Sequence, residues 1–259
     1  MTEDEWDQTG PGKALDAFEA VVLSVGLVTA GGSLGGSLFS WLASAARDGL
    51  TPRRARQLNR ARDATITTAM AVVATWSSFE AWAQDFTKGL MRADPHVLEK
   101  QSVQERRYTL SELLAPEEDR IDVVYRALNA SLGRKRGVDR FEDLFKIFDL
   151  SAGVPSIIKD KFYAAQSVRH VWAHNAGVAD AAFVRQARHL GYDEGDLVTV
   201  SLPQLSEYMA AIITYAMIVS NRDRARYGLG PLPMEEKPSQ SPIGQAYLGL
   251  YGTTEPQSQ

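Results

Sequence analysis

Residues 70–90 read MAVVATWSSFEAWAQDFTKGL, and the apolar positions Met70, Val73, Trp76, Phe79, Ala83, Phe86 and Leu90 recur in steps of three and four. That spacing gathers them on one face of a helix, because 3.6 residues complete a turn. Upstream, Thr51-Pro52 reads as an N-cap followed by proline at the first helical position, where the missing N–H costs nothing. One long helix is therefore expected from Thr51 to Arg92. The arginines of its first turns, Arg53, Arg54, Arg56, Arg60 and Arg62, lie mostly outside the stripe. They read either as a solvated helix end or as a contact to RNA or lipid phosphate.

The same period runs through the rest of the chain. It appears at Ile157, Ile158, Phe162, Ala165 and Val168, and at Phe141, Leu144, Phe145 and Phe148. It returns after Pro203 at Leu205, Met209, Ile212, Ile213, Ala216, Met217 and Val219. Further helices are expected over 103–114 and 117–132, and from an Asp180 N-cap to His189. Leu197-Val198-Thr199-Val200 alone reads as a short strand or extended segment. No repeat of solenoid period is present. The fold class read from this pattern is all-α.

The chain has 259 residues, 44% of them hydrophobic, enough for one main domain with additions. A net charge of -4 argues against a general nucleic-acid coat protein but leaves room for a local basic site. There is no cysteine, so disulfides, thiolate metal sites and a cysteine nucleophile are excluded. The acidic start, with Gly10-Pro11-Gly12, predicts a flexible tail over 1–12 and no secretory signal. An apolar helical segment is expected over 13–50, the helical domain over 51–227, and a flexible tail over 228–259. Within that last tail, Ala246 to Tyr251 is sticky enough to dock. Ala20 to Ala46 carries no charge and is followed by Arg47 and the arginines of the long helix. It reads either as a membrane span oriented by those arginines or as two buried helices turning at Thr29–Ser33. Its glycines lack the Gly-Lys-Ser/Thr of a phosphate-binding loop.

Residues 169–175 read RHVWAHN and close the amphipathic helix that begins at Pro155, with Asn175, Ala176 and Gly177 as its stop signal. His170 and His174 share a helix face. A zinc protease would place Glu after the first His, where this chain has Val171, and no metal or other cofactor is expected. No Gly-x-Ser-x-Gly elbow is present. The clusters Glu117-Glu118-Asp119 and Glu142-Asp143 read as solvated helix faces. There remain Arg169 and His174. RNA supplies its own nucleophile, the 2′-hydroxyl, so its cleavage needs proton transfer and stabilisation of charge on the phosphorus-bound oxygens. An imidazole suits the first and a forked, permanent cation the second. The two lie about 140° apart around a regular helix, so two copies packed across a two-fold axis would focus them better than one. The same residues also read as a structural helix end, with Arg169 paired to a carboxylate and His174 favoured by the helix dipole.

Arg169-His170-Val171-Trp172-Ala173-His174 resembles the Arg-x4-His motif of the HEPN (higher eukaryotes and prokaryotes nucleotide-binding) domain family. The flanking Asn175-Ala176-Gly177-Val178-Ala179-Asp180, the earlier Phe79-Glu80-Ala81-Trp82, and Gly195-Asp196 before the final helix are similar to its bacterial conflict-system subgroup, the RiboL-PSP-HEPN type. The resemblance covers Thr51 to Tyr227. It implies a helical bundle that dimerises along the motif helices and cleaves RNA without metal, as a toxin or antiviral effector with a possible cognate antitoxin or sensor protein. By position, Arg169 would contact the scissile phosphate, His174 would act as acid or base, and His170 would orient the phosphate or its partner. Asn175 and Glu80 stand as helpers. Catalytically lost members act as binding or dimerisation modules. The location that follows is cytoplasmic, or membrane-anchored through 20–46 with the helical domain in the cytoplasm.

Overall fold

A computed structural model of the chain describes residues 1–31, 52–105, 108, 109, 112, 114, 116–132, 135–234 and 241–252. The described residues are mostly helical and form no strand, consistent with the all-α expectation; their one β-bridge is the isolated antiparallel pair Val178 and Leu197. The chain divides into two compact units. The first comprises residues 1–20, 78–163 and 210–259, and the second residues 21–77 and 164–209. The helices Pro52–Ala93, Ser156–Asn175 and Leu202–Arg226 each supply residues to both. These units cross the boundaries read from the sequence at residues 50 and 227.

Phe79 is the hub of the first unit. Its ring meets Phe141 at 4.8 Å and Phe162 at 5.0 Å, both edge-on, and Trp82 at 5.2 Å. Trp82 continues to Phe86, and Phe86 to Phe145. Edge-to-face contacts bring the positive rim of one ring against the negative face of another, so they add to the gain from burial. The stripe seen in residues 70–90 is thus a core stripe, with Trp76, Phe79, Ala83, Phe86 and Leu90 buried, although Met70 is exposed.

Glu142 corrects the reading of Glu142-Asp143 as a solvated face. It is buried and accepts hydrogen bonds from the Tyr215 hydroxyl and Arg222 Nη1, each at 2.8 Å, and from the Ala152 N–H at 2.9 Å. Burial, then the Glu142 charge, pushes the Tyr215 hydroxyl well above its ordinary value. Asp143 is half-buried and pairs with Lys135 at 2.6 Å. The side chains of Glu117, Glu118 and Asp119 lie outside the described residues.

The flexible tail expected over 1–12 is also corrected. Thr2 and Glu5 form a reciprocal capping box at the start of helix Glu3–Asp7, satisfying two N–H groups that the helix leaves open. Trp6, only 1% exposed, donates its indole N–H to Asp223 at 3.0 Å and is covered by the Arg224 guanidinium. Gly10-Pro11-Gly12 opens helix Gly10–Gly31, and a Cβ on Gly10 would lie 2.8 Å from the Gly89 Cα, so glycine permits close backbone contact there. Residues 32–46 of the uncharged segment lie outside the described residues.

At the other end, part of the tail expected over 228–259 is helix Pro242–Tyr251. Ser241 caps it, and Ile243 and Tyr247 are buried. The Tyr247 hydroxyl accepts from Asn221 at 2.8 Å and donates to the Leu232 carbonyl at 2.6 Å. Of the patch Ala246 to Tyr251, Tyr247 and Tyr251 are the residues that dock, Tyr251 donating to the Ile218 carbonyl at 3.3 Å, while Leu248 and Leu250 are exposed. Other helices begin or end differently from their expected bounds: Gln101–Gln104, Glu117–Ser131, Val138–Lys146, and Ala181–Gln186 followed by the 3-10 turn Arg188–Leu190. Leu202–Arg226 is long and apolar enough to cross a membrane. Its Ala211, Ile212, Tyr215, Ile218 and Val219 are nevertheless buried within the protein.

Glu142→Ala leaves Tyr215, Arg222 and the Ala152 N–H short of an acceptor and is expected to cost about 3–5 kcal/mol in urea unfolding. An unchanged midpoint and slope would contradict this role for Glu142. Asp223 is raised above its ordinary 3.8, mainly by burial, against the opposing Trp6 hydrogen bond and Arg226 charge. A raised carboxyl binds its proton more tightly in the folded state, so its contribution to stability falls as pH climbs from 3.8 through the folded value. Asp223→Asn keeps an acceptor for Trp6 and removes that charge. Thermal melts across this range should show the wild type losing stability relative to the variant as pH rises.

Candidate functional site

The motif lies in the second unit, at the end of helix Ser156–Asn175. Val168 and Val171 are buried and fix which face of this helix turns inward. Arg169 is consequently half-buried, while His170 and His174 are exposed. The helix brings the two imidazoles together, their ring centroids 4.7 Å apart and their planes tilted by 54°. Arg169 precedes them in the same stretch but points along a different direction of the helix, as five-residue spacing requires.

The stop signal read at Asn175-Ala176-Gly177 is where the helix ends. Ala176 and Gly177 both adopt left-handed backbone, at φ +50° and +82°, and the Gly177 N–H reaches back to the Val171 carbonyl at 3.1 Å. Left-handed backbone is easy for glycine and unfavourable for alanine, so Ala176 holds local strain beside the histidines. Gly177 has a second reason to be glycine. A Cβ there would lie 2.7 Å from the Trp172 ring, which rests directly against the turn.

Trp172 is a motif residue to which the sequence assigned no role. Its indole N–H donates to the Val198 carbonyl at 3.0 Å. The Val198 N–H in turn donates to the Gly177 carbonyl at 2.8 Å, and the Ala179 N–H to the Asp196 carbonyl at 2.8 Å. The segment 197–200, expected as a short strand or extended chain, is therefore extended chain bridging to the residues just after the motif. Thr68 also donates to the Val200 carbonyl at 2.6 Å, which holds that segment to helix Pro52–Ala93. The only sequence cue to this arrangement is an indole five residues before a glycine, a spacing with no periodic signature.

Asn175 donates its amide to Asp180 Oδ2 at 2.6 Å. Asp180 Oδ1 accepts from the Phe183 N–H at 2.7 Å, making Asp180 the N-cap of Ala181–Gln186, as the sequence indicated. The Phe183 N–H, and after it the Asn175 amide, hold the Asp180 carboxyl below its ordinary range, with a smaller contribution from His170. Asn175 thus has a structural partner in the turn that follows the motif. Glu80 belongs to the first unit and is half-buried; its charge acts on Tyr125, whose hydroxyl is raised to about 12, chiefly by burial.

Chemically, the exposed end of the motif helix offers two neighbouring imidazoles able to exchange protons with a bound group, and a guanidinium able to pair with an anion. Among the described residues, no group of three or more His, Asp or Glu side chains is placed to hold a metal ion. Comparison of the chain with family models, curated proteins and solved structures finds no match.

Proposed function

We propose that this protein is a metal-independent endoribonuclease of the HEPN type, acting as a homodimer. The observation that carries this reading is the pair of exposed, adjacent imidazoles of His170 and His174, in one short stretch with Arg169. In the proposed reaction the 2′-oxygen of RNA attacks the adjacent phosphorus as His174 removes its proton. The bond from phosphorus to the 5′-oxygen breaks, that oxygen takes up a proton, and a 2′,3′-cyclic phosphate remains. Arg169 pairs with the phosphoryl oxygens as their negative charge grows. His170, in ring contact with His174, orients that imidazole or the phosphate. The symmetry mate supplies the second copy of the same groups, which compensates for the angle between Arg169 and His174 on one helix.

This reading carries a cellular role as well: a toxin or antiviral effector, with its RNA-cleaving domain in the cytoplasm and an antitoxin or sensor protein as partner. A non-catalytic binding or dimerisation module is the competing reading. It is favoured by the half-burial of Arg169 and by the tie of Asn175 to Asp180.

Incubation of purified protein with single-stranded RNA in EDTA separates the two. The wild type is expected to cleave and leave cyclic phosphate ends. Arg169→Ala and His174→Ala should each slow cleavage by about 100-fold or more, with unchanged circular dichroism. Undiminished cleavage by either variant, or none by the wild type dimer, overturns the proposal.

Gly177→Ala provides a separate test of how the helix end is held. The added methyl meets Trp172 and the backbone remains left-handed, so stability should fall by about 1–3 kcal/mol. Melting at the wild-type temperature would show that the Trp172 contact does not constrain the turn.

A further inference from the structure

The end of helix Pro52–Ala93, the 3-10 turn Pro95–Glu99 and one face of Glu117–Ser131 line a cavity of about 500 Å³ within the first unit. Its walls are aliphatic: Met91, Leu98, Val103, Ile121 and Val124. Small-molecule sites commonly measure about 300–1,000 Å³, so the space suits a ligand rather than a water or two. Among the described residues lining it, Tyr108 is the single aromatic side chain. An aromatic ligand would find little ring surface to stack on, whereas an alkyl chain matches branched aliphatics and a methionine.

Arg92 and Arg120 line the same cavity, and both are exposed. Among the described side chains, neither has a carboxylate within ion-pair distance. The neighbouring Asp122 is held by Lys88 at 2.6 Å, which keeps its carboxyl below the ordinary range. Glu112, the one carboxylate among the described residues lining the cavity, accepts from the backbone N–H and the hydroxyl of Thr109, each at 2.8 Å. Arg92 also lowers Asp122 by its charge, but Lys88 is the cation in direct contact with that carboxylate, which leaves both guanidinium forks beside the cavity able to take an anion. A neutral apolar molecule would gain nothing from them, but a carboxylate on an alkyl chain would pair with the forks while its tail displaced water from the walls.

We propose that this cavity binds the free anion of a medium- or long-chain fatty acid, head toward Arg92 and Arg120 and chain against Met91, Leu98, Val103, Ile121 and Val124. The site is independent of the motif helix and of the proposed ribonuclease reaction.

Calorimetric titration of the full chain with decanoate, below its micellar concentration, tests this. Saturable binding at one site per chain is expected, with weaker binding of uncharged 1-decanol. The double variant Arg92→Ala/Arg120→Ala should weaken decanoate binding by about tenfold or more and leave 1-decanol unchanged. Leu98→Trp, which fills the cavity, should abolish both while preserving the melting temperature; Val124→Trp serves the same purpose should Leu98→Trp fail to fold. Absence of saturable binding, or equal decanoate affinity in the double arginine variant, overturns the proposal. So does binding seen only to phosphatidylglycerol vesicles, which would assign the arginines to a membrane surface.

Discussion

Burial of Phe79 sets the register of the first unit. Once that ring lies between Phe141 and Phe162, the helix that carries it can rotate very little, because Trp82 and Phe86 must enter the same core within two turns. Helix Val138–Lys146 must then present Phe141 and Phe145 together, which brings Glu142, one position from Phe141, inside as well. A buried carboxylate is tolerable only when its oxygens are satisfied. Tyr215, Arg222 and the Ala152 N–H satisfy them. The polar network is thus a consequence of the aromatic packing, and it ties helix Leu202–Arg226 to helix Val138–Lys146 by directional bonds where the ring contacts alone would permit sliding.

Helical periodicity carries much of this architecture in plain sight. The stripe from Val73 to Leu90, the Phe141 to Phe148 cluster and the run after Pro203 all specify a face, and in each the structure buries most of that face. What the period cannot carry is a bond between residues far apart in sequence. Trp6 and Asp223 are separated by 217 positions, so an acidic, glycine-containing start looks like solvated chain until the partner is known. Glu142 fails for the same reason: its charge suggests water, and its partners lie tens of residues away. Local chemistry did hold a clue at the N-terminus, since Thr2 and Glu5 have capping-box spacing. At the far end, Ser241-Pro242 reads the same way, as a cap followed by proline at a first helical position.

The candidate site divides along similar lines. The helix, its end at Asn175, the Asp180 cap and the shared face of the two histidines are all local properties and follow from the residues themselves. The degree of burial is not local. Whether Arg169 faces water depends on which side of its helix Val168 and Val171 occupy in the core, and that decision leaves it half-buried. The bond from Trp172 to Val198 is likewise invisible, because it joins the motif to a segment whose own pattern indicates only extended chain.

These two levels of burial have opposite consequences for chemistry. An exposed imidazole is surrounded by bulk water, which weakens any field it exerts on a substrate. A half-buried guanidinium is already partly desolvated, so pairing with a phosphate costs it less and is screened less by salt. Among the described residues, the motif helix thus presents its imidazoles at the surface and its guanidinium partly beneath it. Enclosure is what converts such groups into an efficient site, by excluding water around the developing charge. In the proposed reaction that enclosure must come from a surface beyond the motif helix, and a second motif helix related by a two-fold axis meets the requirement with no additional kind of residue.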